Sequence, residues 1–253
     1  MTENTATVPG SGDGAVRRAV AAELAAVRAR AAARAPRVLD VGGGSGAWAV
    51  PLALAGCAVT VVDSSPNALA ALHRRARDAG VAGLVTPVQG DVDALADVVA
   101  EGGADLVLGH GLLEIVDDAA AALAALRSAA APGGAVSVLV AGRYGAVLAR
   151  TVAGRLTEAR TLLTDPDGRY GPGDVVRRRL DAAALKALLA VDGSLVLELL
   201  QGDGVLEGWV PGSVRDGGPA GARSVADLEA LAAAEPALLD LSARLHALAR
   251  RSG

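Results

Sequence analysis

Three aspartates and a run of glycines are the residues of this 253-residue sequence best suited to chemistry. Asp40, Asp63 and Asp91 each end a short apolar stretch, in "RVLDV", "AVTVVD" and "VTPVQGD". Directly after Asp40 and Val41 comes "GGGSG", four glycines in five positions. Glycine weakens helices and strands, so this density marks a turn where backbone must approach something closely. Three acids around such a turn favour a cationic ligand and repel a pyrophosphate.

The elements that must position these residues alternate. An amphipathic helix is predicted over 14–34, with Val16, Val20, Leu24 and Val27 at helical spacing. Strands follow at 37–41, 58–63, 85–91, 104–110 and 135–142. Helices separate them at 48–56, 65–80, 92–102 and 117–130, the last closed by Pro132-Gly133-Gly134. Apolar strands alternating with helices predict an α/β fold, a mostly parallel sheet covered on both faces. Ligands bind such sheets beyond the carboxyl ends of the strands, where the glycines fall. Further on, 143–163 reads as a helix and 164–179 as a polar loop ending in three arginines. A helix over 181–193 and a sixth strand over 194–202 come next. Ser224 is expected to cap a helix beginning at Val225, and helix is expected to continue over 237–243 after Pro236. "LHALARR" (245–251) reads as a helix end or a seventh strand. The polar residues 1–13 are expected to be disordered. The rest, 14–253, is expected to be one domain, with a helical and loop insertion at about 143–180.

Two ligands compete for the glycine turn. Gly42-x-Gly44-x-x-Ala47 meets the relaxed dinucleotide fingerprint, and Asp63 lies about 20 residues on. Against a dinucleotide stand the Gly42-x-Gly44-x-Gly46 spacing, Asp40 just before it, and the third acid, Asp91. S-adenosylmethionine suits these residues better. Its sulfonium and ammonium are positive, so Asp40 is an asset. Asp63, with Ser64 beside it, can accept from two ribose hydroxyls. Asp91 can accept from the adenine amine, and Val92 can pack on the ring.

Composition narrows the classes. The net charge is −4, so any nucleic-acid contact must be a local patch. Cys57 is the single cysteine, which excludes an intrachain disulfide and a cysteine zinc cluster, and no metal site is expected. No apolar run of membrane-spanning length and no signal-peptide pattern appears, so a cytoplasmic protein without a membrane partner is expected.

On these motifs the sequence resembles the class I S-adenosylmethionine-dependent methyltransferases. "VLDVGGGSG", "VTVVD", "QGDV", "DLVLGHGLLEIVDD" and "LRSAAAPGGAVSVLV" follow the family's motif order over about residues 37–142. The resemblance implies a Rossmann-like seven-stranded sheet of order 3-2-1-4-5-7-6, with "LHALARR" as the antiparallel strand. It also implies release of S-adenosylhomocysteine. A narrower resemblance, carried by "GAVRRAVAAEL", the triple glycine, "HGLLEIV" and "EPALLDLSARLHALARR", is to the bacterial enzymes that esterify 5-carboxymethoxyuridine at the tRNA wobble position.

That narrower resemblance implies that Arg17 reaches the cofactor's methionine carboxylate. His110, as base or as hydrogen-bond donor, and Glu114 would lie beside the transferred methyl. Arg143, Tyr144, Arg177, Arg178 and Trp209 are the candidate acceptor-binding residues, the arginines forming a local patch for tRNA. The sequence departs from the subgroup at Gly204, where an arginine is usual. A small-molecule O- or N-methyltransferase and a cofactor-binding protein without catalysis are the alternative readings.

Overall fold

The computed structural model describes residues 14–30, 34–215 and 218–252. The expected disorder of 1–13 lies outside them, as do residues 31–33 of the first predicted helix. Seven strands form one sheet of order β3-β2-β1-β4-β5-β7-β6. They are β1 (Arg37–Val41), β2 (Ala58–Asp63), β3 (Val85–Gln89), β4 (Ala104–His110), β5 (Ala130–Ala141), β6 (Leu195–Asp203) and β7 (Arg244–Arg251). β1 to β5 run parallel, and β7 is antiparallel to both β5 and β6. "LHALARR" is therefore the seventh strand.

The helices are α1 (Gly14–Arg30), α2 (Ala49–Leu54), α3 (Pro66–Asp78), α4 (Leu95–Val98), α5 (Ala119–Ala129), α6 (Arg143–Val152), α7 (Leu156–Thr164), α8 (Ala182–Leu189), α9 (Gly212–Arg215) and α10 (Pro219–Ala234). One apolar cluster packs Val20 and Leu24 of α1 with Leu106, Leu108, Ala135 and Leu248 on one sheet face. A second cluster, including Leu123 and Leu126 of α5 and Leu185 of α8, covers the other face. The buried Glu23 anchors α1 to the sheet through Arg250, at 2.7 Å.

Several local expectations need correction. The helix predicted over 92–102 is only a 3-10 turn, Val92–Ala94, followed by the single turn α4. The Pro132-Gly133-Gly134 segment lies inside the long β5, beside the register shift between Ala104 and Leu106 of β4. The helix predicted over 143–163 is two helices, broken at Gly154, whose φ is +73°. Ser224 is no cap: α10 starts at Pro219, and the Ser224 hydroxyl donates back to the Ala220 carbonyl at 3.1 Å. Pro at a first helical position sets φ for the helix, which outcompetes a later serine. Residues 237–243 hold only a 3-10 turn, Leu239–Leu241. Among the described residues no helix is long and apolar enough to cross a membrane.

Candidate active site

The glycine turn joins β1 to α2 at the carboxyl end of the sheet. Gly42 N donates to Val62 O at 2.7 Å, docking the turn on β2. Gly46 has φ +83°, and a Cβ there would run into Leu72 of α3. A Cβ on Gly43 would come within 2.5 Å of Asp40 Oδ2. The turn thus needs glycine for close packing as well as for its conformation.

Asp63 organises the turn. Its Oδ2 accepts from Gly44 N and its Oδ1 from Ser65 N, both at 2.8 Å. Beside it lies a cavity of about 330 Å³, lined by Gly42, Asp63, Ser64, Asp91 and Val92, with Leu112 and Val116 adding apolar wall. Asp91 also accepts from Asp93 N at 3.3 Å, capping the 3-10 turn that carries Val92. The volume and the mix of apolar wall with a few carboxylates suit a nucleoside-sized ligand.

Asp40 is 2% exposed and does not line the cavity; it lies under the turn. Its Oδ2 has no hydrogen-bond partner among the described residues. Burial, and then the charge of Asp63, push its carboxyl up to about 7. An unpaired acid in that position is costly unless a cation or proton compensates it. A proton supplies that compensation at Asp40 itself, and the carboxylates around the turn favour a cationic ligand in the cavity, so the donor set fits S-adenosylmethionine.

A second group of residues, outside the lining of that cavity, gathers around His110 at the end of β4. The Arg17 guanidinium lies 4.7 Å from the centre of the Trp48 ring. Trp48 meets His110 edge to face at 4.6 Å. Burial, then the nearby His246, Arg244 and Arg17 charges, hold His110 well below the ordinary histidine range. The ring is therefore neutral at pH 7 and a weak proton acceptor. Glu114 accepts from Ala141 N at 3.1 Å, and burial raises its carboxyl. It ties the turn after β4 to the end of β5. Asp118, and not Glu114, caps α5.

The arginines expected to form an open patch are largely engaged in holding loops. Arg178 donates to the carbonyls of Leu113, Val116 and Asp117 at 2.6, 2.7 and 2.7 Å. Arg143 donates to the carbonyls of Leu162, Leu163, Asp165 and Pro166. Arg177, more exposed, donates to Ile115 O and pairs with Asp117. Backbone carbonyls at loop ends need donors, and a guanidinium supplies five in one plane. The bonds of Arg177 and Arg178 clamp the loop after α7 onto the turn after β4, while those of Arg143 hold the end of α7. Trp209 donates to Val205 O at 2.9 Å, and Tyr144 is 36% exposed at the start of α6.

Sequence reasoning missed a buried polar row beneath His110. His110 Nε2 and His246 Nε2 each lie 2.8 Å from Ser137 Oγ, and Gln201 Nε2 lies 2.9 Å from His246 Nδ1. The only local signal was a serine and a histidine at inward positions of "AVSVLVAG" and "LHALARR". The ion pair of Arg244 with Asp203, at the ends of β7 and β6, was likewise missed.

Comparison with known proteins agrees with this architecture. Residues 38–134 match the family model described as a methyltransferase domain. This stretch is thus similar to methyltransferase domains, and the order of the whole sheet is Rossmann-like. Among curated proteins, the tRNA 5-carboxymethoxyuridine methyltransferases of Escherichia coli strains K12 and O157:H7 are each 36% identical over 121 residues. That match covers 47% of this chain, and the chain spans only 45% of those relatives. Among solved structures, a magnesium protoporphyrin IX methyltransferase from Synechocystis PCC 6803 with bound SAH aligns over 95% of this chain and 84% of its own, at 17% identity and TM-score 0.58. A plantazolicin methyltransferase aligns over 97% and 87%, at 15% identity and TM-score 0.59. At such identities the structural likeness speaks to the fold.

Proposed function

We propose that this chain transfers the methyl of S-adenosylmethionine to a carboxylate, and that the carboxylate belongs to the carboxymethoxyuridine of a tRNA wobble position. The observation that carries the first part is the cavity walled by Asp63, Asp91 and the glycine turn, with the unpaired Asp40 beneath it. Bound there, the cofactor supplies an electrophilic methyl on a sulfonium. Asp63 would accept from the ribose hydroxyls while keeping the turn in shape. Asp91 and Val92 would hold the adenine by its amine and its face. Asp40, beneath the turn, would favour the ammonium through its charge without touching it, and Arg17 would pair with the methionine carboxylate.

The second part rests on what stands near the strand ends. His110 is neutral with a depressed basicity, and Glu114 already accepts a backbone N–H. A carboxylate acceptor needs no deprotonation, so alignment and exclusion of water suffice. Proximity of this kind is worth about 7 kcal/mol or more. The E. coli relatives, whose names state a carboxymethoxyuridine substrate, support this acceptor.

One observation favours a second reading, a small-molecule acceptor: Arg143 and Arg178 are bound to backbone carbonyls and do not form an open basic face. Nucleoside mass spectrometry of tRNA from a deletion strain separates the two. Loss of the methyl ester of the wobble nucleoside supports the tRNA reading. An unchanged tRNA profile transfers the assignment to a small molecule.

A further inference from the structure

The polar row beneath His110 crosses four neighbouring strands on one face of the sheet. His110 ends β4, Ser137 is on β5, His246 on β7 and Gln201 on β6. Gln201 and His246 are direct partners in the antiparallel register. Ser137 and His246 are fully buried, and Gln201 is 9% exposed. Polar groups so deep in an aliphatic core cost stability unless each donor meets an acceptor.

A serine hydroxyl carries one proton. Ser137 Oγ is 2.8 Å from Nε2 of both His110 and His246. It donates to one ring and must accept from the other. With both rings neutral, one Nε2 bears a proton and the other does not, so the two histidines are opposite tautomers. The next link selects which is which. Gln201 presents its amide nitrogen to His246 Nδ1 at 2.9 Å. In this amide orientation the nitrogen donates, so His246 Nδ1 is bare and its Nε2 carries the proton. Ser137 then accepts from His246 and donates to His110 Nε2. The remaining proton of His110 falls on Nδ1, which is buried and without a partner among the described residues.

We propose that Gln201, His246 and Ser137 are positioning residues that lock His110 as an Nδ1–H donor, so that it offers the methyl acceptor a hydrogen bond and takes no proton from it. The donor role rests on the methyl-transfer reading, but the tautomer does not. An N–H suits an anionic oxygen acceptor, which an unprotonated Nδ1 would repel. The row ends in an amide, which neither gains nor loses a proton near neutrality. It therefore sets direction and does not export charge.

The test is nitrogen NMR on the full chain with selectively labelled histidine, at about pH 8, where neutral rings report their tautomer. The three histidines are His73, His110 and His246, and the variants His73→Gln and His110→Gln assign their signals. The expected spectrum has Nδ1–H at His110 and Nε2–H at His246. One tautomer shared by both rings, or Nε2–H at His110, overturns the proposal. A second measurement uses Gln201→Glu, whose ionised carboxylate only accepts. It should swap both tautomers; a folded variant with unchanged tautomers would remove Gln201 from the row. If that variant does not fold, the wild-type spectrum still decides. Neither reading uses a methyl acceptor, so failure here is distinct from failure of the tRNA assignment.

Discussion

Asp63 Oδ2 accepts the Gly44 amide at 2.8 Å, so the acid assigned to the ribose also holds the glycine turn in shape. One side chain thereby couples loop order to cofactor recognition. Substitutions at Asp63 separate the two roles by what they leave behind.

Asp63→Ala removes both the turn contact and the ribose contacts. Hydrogen bonds to a charged group are worth about 1.5–3 kcal/mol each, so affinity for S-adenosylhomocysteine should fall by at least about 100-fold. Asp63→Asn keeps an oxygen for Gly44 and should lose less. Calorimetry reads both. Wild-type affinity in the alanine variant would withdraw Asp63 from the cofactor site.

Arg17 stacks on Trp48 from a helix anchored elsewhere, by the Glu23–Arg250 pair. Arg17→Ala should therefore weaken cofactor binding roughly 10-fold, the effect of one lost charge pair of about 1.4 kcal/mol, with little change in melting temperature. An unchanged dissociation constant would return Arg17 to a purely packing role.

Asp40 has a pH signature with a definite sign. Its carboxyl is raised to about 7 in the fold, above the ordinary 3.8. The folded state thus binds the extra proton between those values, and stability falls as pH rises through that window. Asp40→Asn mimics the protonated form. Its stability relative to wild type should improve from pH 4 to pH 7, by up to about 4 kcal/mol, and then level off. The same variant should bind cofactor more weakly. Urea midpoints across pH test this; a difference independent of pH would show Asp40 ionised throughout.

His246 works in the opposite direction. Burial lowers it from 6.5 to about 4, so the unfolded chain binds a proton that the folded chain refuses. Stability contributed by the neutral ring is complete above about pH 6.5 and lost as pH falls towards 4. His246→Gln should flatten that acid-side slope in a urea titration. A slope unchanged by the substitution would contradict the buried neutral state.

Much of this was legible in the sequence because the signals were local. The strand-end positions of Asp40, Asp63 and Asp91 and the density of glycines follow from neighbouring residues alone. The helix ends were harder: Pro219 overrode Ser224, and α4 shrank to one turn after the Asp91 cap. The arginines misled, because a guanidinium in a sequence does not reveal that carbonyls of a turn some 60 residues away will take its donors, as Leu113 and Val116 do for Arg178. The row from His110 to Gln201 was hidden for the same reason. Its members lie on four strands, and only the order β4-β5-β7-β6 brings them together.

The arginine clamp makes its own prediction. Arg178→Ala leaves the carbonyls of Leu113, Val116 and Asp117 without that donor. A loss of about 2–3 kcal/mol and faster proteolysis within 165–180 should follow. Resistance equal to wild type would mean the loop is held by other bonds.

Methyl transfer itself tests the carboxylate acceptor most directly. Purified protein is incubated with S-adenosylmethionine labelled in its methyl group and with tRNA from a strain lacking this chain. Label should enter tRNA in a form that mild alkali releases, as an ester requires. Label in tRNA that survives alkali, or no label in tRNA while a small-metabolite extract takes it up, would contradict a carboxylate on tRNA as the acceptor.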